Sequence, residues 1–253
     1  MPMSTTDSDA MHPSASLTHE GLARSGLEKR LPTLLSVIAG MVDLTGFLTL
    51  GNLFTAHITG NLVVVGALVV RRGRINPPQI LAIPVFMLAV AATWLLARAS
   101  RRRGPSLMRL LLLIQFLLLA GVLIFGVITK PSANPHGLMA GLAAMIAISA
   151  MACQFALLRL TLPVAPSTAV MTGNLTNIVL SVMDRHSRTQ PLIAGDTERL
   201  RSTLPLLLGF FTGCVVAAAA VSLLRDSAWS FPVALAGVAV VLRWEDEGTN
   251  NHK

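Results

Sequence analysis

Long apolar runs dominate the chain, and each is apolar around the whole helix rather than along one stripe. The run 107–128, for example, has Arg109 and Gln115 as its only strongly polar residues. A helix of about 20 such residues crosses about 30 Å of hydrocarbon. The pattern therefore predicts an all-α membrane protein. Six runs are long enough, or nearly so, for a crossing: 31–53, 80–97, 107–128, 137–160, 204–224 and 231–242, the last being short unless 228–243 is included.

Two further apolar runs, 58–70 and 168–183, are shorter than a comfortable crossing, and both contain the tripeptide Thr-Gly-Asn. The six motif residues are Thr59, Gly60, Asn61, Thr172, Gly173 and Asn174. Polar residues that break the backbone at membrane depth are tolerated mainly where they face protein or a water-filled cavity. A matched pair of such segments therefore indicates a site.

The order of the runs indicates an internal duplication. A long helix, a short Thr-Gly-Asn segment and two more helices occur once in 31–128 and again in 137–242, with the two motifs 113 positions apart. This order predicts two membrane repeats. The polar stretch 1–30 is predicted to be a disordered cytoplasmic tail, and 243–253 a polar C-terminal tail.

The distribution of basic residues separates two topologies. If the short segments cross the membrane, there are eight spans, with 13 Lys and Arg on the cytoplasmic side and seven outside. If the segments enter and return, there are six spans, and the split is 15 to five. The positive-inside rule favours six spans and a cytoplasmic N-terminus. Each repeat then has three crossings, so the two repeats are predicted to be inverted relative to each other.

Composition supports the membrane class and weakens other classes. Hydrophobic residues make up 53% of the chain and charged residues only 13%, against about 25% charged in soluble domains. The net charge of +8 is clustered at the ends of the runs, which marks topology rather than a nucleic-acid surface. The two cysteines lie in predicted spans without metal-ligand spacing, and no hydrolase or nucleotide motif is present. We therefore expect no enzyme activity, metal or cofactor.

The motif residues suit either a binding site or helix packing. Gly60 and Gly173 permit backbone geometries that larger residues forbid, while the Thr and Asn side chains supply donors and acceptors. If each motif begins a half-helix, its amides and positive dipole end favour an anionic or carbonyl-bearing group. In the alternative interpretation the motif joins two helices, as small polar motifs often do in membranes.

Asp43 lies in the middle of the first long run, where a carboxylate is costly and should face a partner or water. It could couple protons, coordinate a cation or form a buried pair, with Arg159 as one candidate partner; a structural hydrogen bond in the neutral state is the alternative. Gln154 holds the equivalent place in the second repeat and cannot titrate. His57 could titrate near neutral pH, but a lone His near an interface is more often an ordinary polar contact.

These motifs resemble the YoaK-like family of bacterial inner-membrane proteins, a domain of unknown function. The resemblance rests on Gly-Met-Val-Asp at 40–43, Gly-Phe at 46–47, Phe-Thr-Ala-His-Ile-Thr-Gly-Asn-Leu at 54–62, Met-Ala-Cys-Gln at 151–154 and Val-Met-Thr-Gly-Asn-Leu at 170–175. Family members commonly have Gly-Xaa-Gln-Asn where this chain has Ala-Cys-Gln-Phe at 152–155. The resemblance implies a multi-spanning fold in the bacterial cytoplasmic membrane and implies little about substrate.

Together these observations predict a small-solute transporter or channel-like protein whose site lies between the two Thr-Gly-Asn segments. Its predicted binding residues are Asp43, Gln154 and the six motif residues, and its predicted partners are the lipid bilayer and a small solute or ion. A non-transporting membrane scaffold is the alternative. An intramembrane enzyme is disfavoured because no nucleophile–base pair is present. The sequence indicates neither the solute nor the oligomeric state.

Overall fold

The computed structural model describes residues 26–70, 77–163, 165–166, 168, 171–186 and 196–250, and within these residues the protein is all-helical. The predicted N-terminal tail lies outside the described residues up to position 25. The helices are α1 (Gly26–Thr49), α2 (Gly60–Val70), α3 (Pro77–Ala99), α4 (Gly104–Thr129), α5 (Leu138–Thr161), α6 (Met171–His186), α7 (Asp196–Leu224) and α8 (Ser230–Asn250). Short 3₁₀ segments, Pro131–Ala133 and Arg225–Trp229, precede α5 and α8.

Five stretches of the described residues are long and apolar enough to cross a membrane, by length and composition. They are Arg30–Thr49, Pro77–Ala99, Gly104–Thr129, Leu138–Thr161 and Leu200–Trp244. The fifth has 45 residues and contains most of both α7 and α8. Between these helices Arg225 has a left-handed backbone (φ 49°), so the chain changes direction there. The predicted spans 204–224 and 231–242 thus fall within one continuous apolar stretch.

The boundaries of α1 and α8 differ from the sequence prediction. α1 begins at Gly26, inside the predicted tail, and ends at Thr49 rather than at residue 53. It ends early because Gly51 and Asn52 both adopt positive φ (78° and 55°), the conformation that commonly terminates helices. α8 continues to Asn250, so most of the predicted C-terminal tail is helical.

α1 and α5, the first long helix of each predicted repeat, form the centre of the bundle. About two thirds of their apolar windows are buried, 67% and 72%, against 17% for α3 and 33% for α4. α1 packs most extensively on α7, while α5 packs on both α4 and α3. α8 contacts α4 and α1, and the two short helices lie against α3 (α2) and α7 (α6).

The largest interface, between α1 and α7, joins parallel helices. Ser36 Oγ donates to the carbonyl of Leu206 over 2.6 Å, and one turn further along, Gly40 lies against the backbone of Phe210. Gly213 lies equally close to the carbonyl of Val37. Residue numbers therefore increase together along the two helices, and glycines on both sides allow the backbones to touch.

α3 and α5 are also parallel, since Pro78 contacts Gly141 near their starts and the rings of Phe86 and Phe155 are 6.1 Å apart further along. α4 and α8, in contrast, are antiparallel. The start of α4 meets the end of α8, where the Arg109 guanidinium lies 4.6 Å from the Trp244 ring centroid. The end of α4 meets the start of α8, where Gly126 lies beside Trp229.

Candidate functional site

The connection between α1 and α2 folds back onto the carboxylate of Asp43. Asp43 Oδ1 accepts hydrogen bonds from the backbone amides of Thr55 (2.8 Å), Ala56 (2.7 Å) and His57 (3.3 Å). The Thr55 hydroxyl also donates to the carbonyl of Val42. Asp43 is only 5% exposed. Because a buried carboxylate needs several donors, one side chain of α1 fixes the path of the chain that follows it.

The second oxygen of Asp43 forms an ion pair with His57, with 2.7 Å between Oδ2 and Nδ1. The imidazole is one third exposed, and its edge meets the ring of Phe210 on α7. His57 lies outside the candidate spans. Its hydrogen bond to Asp43 raises the pKa of the imidazole above the ordinary value, while partial burial acts to lower that pKa. Arg159, the partner considered from sequence, instead lines a cavity beside Trp94.

The first Thr-Gly-Asn motif begins α2, and its asparagine holds the same connection from the other side. The Asn61 amide, fully buried, accepts from the Phe54 N–H (2.9 Å) and donates to the Phe54 carbonyl (2.8 Å). A Cβ on Gly60 would lie 2.9 Å from the Phe54 ring, so only glycine fits without rearrangement. Thr59 is exposed just before the helix.

The amides that begin α2 already have partners. The N–H groups of Gly60, Asn61 and Leu62 donate to the carbonyls of the preceding turn, at residues 57, 58 and 59. The hypothesis of an open half-helix end that receives an anion is therefore not favoured at this motif. The titratable groups at this break are instead the Asp43–His57 pair.

A cavity of about 400 Å³ opens beside this pair. Its lining comes from α1, the connection and α7: Asp43, Leu44, Phe47, Phe54, His57, Phe210 and Cys214. The rings of Phe47 and Phe54 are 4.8 Å apart and form one wall. The cavity is thus mostly apolar and aromatic, with one acid–base pair at its edge, and its volume falls in the range of small-molecule sites.

Gln154 lies in a separate polar cluster between α5, α4 and α1. It is fully buried, donates to the carbonyl of Leu35 (2.9 Å) and accepts from the side chain of Gln115 (2.6 Å). This chain of amides links three helices, and Gln154 is not among the residues that line the Asp43 cavity. The two side chains therefore differ in their contacts: Asp43 holds a backbone turn, and Gln154 holds neighbouring helices together.

The second motif occupies the first turn of α6. Asn174 is 4% exposed, and its amide nitrogen lies 4.0 Å from the sulfur of Met171. Thr172 is exposed and Gly173 is half-buried. In the preceding connection, residues 164, 167, 169 and 170 lie outside the described residues. α6 packs on α7 while α2 packs on α3. The structure brings Asp43 and Asn61 to one connection, and no described residue of α6 lines the cavity that Asp43 borders.

Sequence reasoning underestimated His57. Its place two residues before the motif and fourteen after Asp43 gave no periodic signal, because the contact depends on the fold-back of an irregular segment. The missed signal was Gly51 followed by Asn52, a pair that commonly ends a helix and reverses the chain. Such a reversal would have placed residues 54–57 beside α1.

These features define a multi-pass α-helical membrane protein with a polar break after its first helix. The chain belongs to the family described as "Protein of unknown function (DUF1275)", which matches residues 31–242. A segment of 36 residues, 14% of this chain, is 53% identical to the UPF0700 transmembrane protein YoaK of Bacillus subtilis (strain 168) and covers 16% of that protein. The resemblance found from the sequence motifs is thereby confirmed. No solved structure matches the chain.

Proposed function

We propose that this protein is a small-solute transporter or channel-like protein of the bacterial cytoplasmic membrane. The observation that carries the proposal is the Asp43–His57 pair at the edge of a cavity of about 400 Å³. Ionisable residues inside membrane proteins are costly and commonly mark pathways for substrates, ions or protons. The solute would bind through an apolar body against Phe47, Phe54 and Phe210, with its polar end toward the pair.

The acid–base pair gives a physical basis for coupling. Asp43 Oδ1 is held by backbone amides, whereas Oδ2 interacts with a partly exposed imidazole that can gain or lose a proton. Loss of that proton would remove the positive charge that faces Asp43 Oδ2 at the edge of the cavity. A proton or cation could therefore change the connection between α1 and α2, which forms one side of the cavity.

Helix directions support six crossings with both short helices returning to the face they entered. If α6 crossed the membrane, α4 and α8 would be parallel, but they are antiparallel. With α6 returning, a crossing α2 would make α1 and α7 antiparallel, but they are parallel. The relative directions of the helices at these two interfaces agree with the charge distribution of 15 basic residues inside and five outside.

The packing pattern also supports two related halves. Each of the first four helices can be matched with the helix four places later, α1 with α5 and so on. Under this matching the α1–α7 interface corresponds to α5–α3, and the α4–α5 interface corresponds to α8–α1. The α2–α3 interface likewise corresponds to α6–α7. The α4–α8 and α1–α5 interfaces map onto themselves. Three crossings per half make the halves inverted, the arrangement that many transporters use for alternating access.

A transport assay with matched variants tests the proposal. Full-length protein is reconstituted in liposomes loaded with a pH-sensitive dye, and amines, amino acids and monocarboxylates are added in turn. Asp43→Asn should abolish solute-driven proton movement, and His57→Gln should change its pH dependence. Asp226→Asn is the control, because that carboxylate is similarly buried (7%) but bonds Ser132 in an outer connection. If Asp43→Asn leaves every flux and its pH dependence unchanged, the coupling role is wrong.

A membrane scaffold is the second candidate, and one observation favours it: both polar atoms of the Asn61 amide bond to one backbone residue of the same connection. A polar side chain with a purely structural role is expected to have all of its hydrogen-bonding atoms occupied in this way. A scaffold predicts that substitutions of Asn61 and Asn174 lower protein abundance in the membrane and leave no flux to alter. A transporter predicts that Asp43→Asn retains abundance and loses flux.

Accessibility of engineered cysteines tests the topology separately. Both the six-span and the eight-span arrangement place Arg72 and Arg102 on opposite faces, but they assign the faces differently. The six-span arrangement expects Arg102→Cys to react only from the cytoplasm, in a background without Cys153 and Cys214. Labelling of Arg102→Cys from the periplasm would refute the six-span inverted arrangement.

A further inference from the structure

An arginine-lined cavity lies at the short turn between α3 and α4, far along the chain from the Asp43 site. The cavity has a volume of about 570 Å³, and its main lining residues are Trp94, Arg98, Arg101, Arg102, Arg103 and Leu160. The four arginines are exposed, and no acidic residue is among the described lining residues. Because the turn joins two candidate spans, the cavity lies at a membrane surface in either topology.

A second cavity, of about 280 Å³, lies beside the first and shares Trp94 and Leu160 with it. Its walls are apolar, and the rings of Phe86 and Phe155, 6.1 Å apart, lie along the groove between α3 and α5. Arg159 also lines this second cavity and adds a fifth guanidinium. A cationic cavity thus adjoins an apolar groove between two candidate spans, with Trp94 and Leu160 lining both.

The turn holds the arginines close together. Arg101 has a left-handed backbone (φ 53°), as does Gly104 (φ 53°), which makes a tight reversal close to the end of α3. The Arg98 guanidinium lies 5.4 Å from the centroid of the Trp94 ring, so this cation stacks on the aromatic wall shared by both cavities. Without a counter-ion, the guanidinium groups that line this cavity repel one another.

We propose that the two cavities form a binding site for an anionic phospholipid, with its phosphate headgroup among the arginines and one acyl chain in the groove. Guanidinium groups bind phosphate oxygens in bidentate fashion, and basic pockets between membrane helices bind dianionic headgroups. The apolar groove favours a lipid over free phosphate as the ligand, because free phosphate would occupy only the arginine-lined cavity. Diphosphatidylglycerol fits best, because its two phosphates can bind more of the four or five arginines than the single phosphate of phosphatidylglycerol can.

Binding to full-length protein in nanodiscs tests the proposal, measured by native mass spectrometry and by the shift in melting temperature. Diphosphatidylglycerol is titrated into phosphatidylcholine discs, with inorganic phosphate as a separate arm. Replacement of Arg101, Arg102 and Arg103 by Gln should weaken lipid binding at least about tenfold, since each basic residue near an anionic surface contributes roughly 1 kcal/mol. These side chains are exposed, so the variant should melt normally in pure phosphatidylcholine.

The chain offers a matched control, because replacement of Arg71, Arg72 and Arg74 by Gln removes the same charge elsewhere in the sequence. A second variant, Val90→Trp, fills the groove without changing charge and should also weaken lipid binding. Equal weakening by both triple variants would reduce the effect to general electrostatics and overturn the site. Stabilisation by inorganic phosphate equal to that by the lipid, or full binding by Val90→Trp, would refute an acyl-chain groove.

Discussion

Gly213→Ala should separate α1 from α7, the largest interface in the protein. A Cβ on Gly213 would collide with the carbonyl oxygen of Val37 and would lie 3.0 Å from the Met41 amide nitrogen. These are backbone atoms of a helix and cannot rotate away, so the helices must move apart by about an ångström to restore ordinary contact. Overpacking of this kind costs about 1–3 kcal/mol.

Gly121→Ala is the control that separates the steric cost of an added Cβ from the gain in helix propensity. This glycine lies in α4, and a Cβ added to it would have no neighbouring atom within 4 Å. Both substitutions gain about 1 kcal/mol from the better helix propensity of alanine. The difference in unfolding free energy between Gly213→Ala and Gly121→Ala should therefore equal the overpacking cost. It can be measured by SDS-induced unfolding in mixed micelles, followed by Trp fluorescence. Equal stability of the two variants would refute the close parallel packing of α1 and α7.

Three further substitutions probe the polar contacts. Asn61→Ala leaves the partly buried Phe54 amide and carbonyl without these partners and should cost about 1–3 kcal/mol in the same unfolding assay; a neutral result would contradict the contact. Because the pKa of His57 is raised, its protonated form stabilises the fold below the ordinary pKa, and this stabilisation is lost as pH rises through the raised value. The melting temperature of the wild type relative to His57→Gln should therefore fall as pH rises from the ordinary pKa of histidine through the raised value; a pH-independent difference would argue against the ion pair. Gln154→Leu removes the bond to a backbone carbonyl of α1 and should lower the melting temperature; an unchanged melting temperature would contradict this contact.

The fold class was predictable because it follows from local composition. Helices of about 20 residues that are apolar all round have few alternatives, and the runs that contain α3, α4 and α5 were found almost at their boundaries. The start of α2 was also predictable, since Gly60 allows the backbone to change there. The depth of Asp43 in the first run correctly indicated a partner.

The partner itself was not predictable from spacing. Arg159 had the right charge, but charge alone does not place two helix ends together, and the arginine lies at the other cavity. The contact with His57 depends on the reversal after α1, whose geometry is set by left-handed residues rather than by hydrophobic period. Likewise, the interface of α1 with α7 joins segments 170 residues apart. Contacts of that range follow from packing of the whole bundle.

That separation also constrains how the protein is made. Ser36 on α1 bonds to Leu206 on α7, so the ribosome must add 170 residues before the two can meet. At a synthesis rate of about 5–20 residues per second, roughly 10–30 s pass between the synthesis of Ser36 and that of Leu206. During this time the glycine-containing face of α1 lacks its contact with α7. During that interval the fold-back onto Asp43, which needs no more than 14 further residues, can already shield its carboxylate. The connection after α1 can thus cover the carboxylate of that helix before α7 has been synthesised.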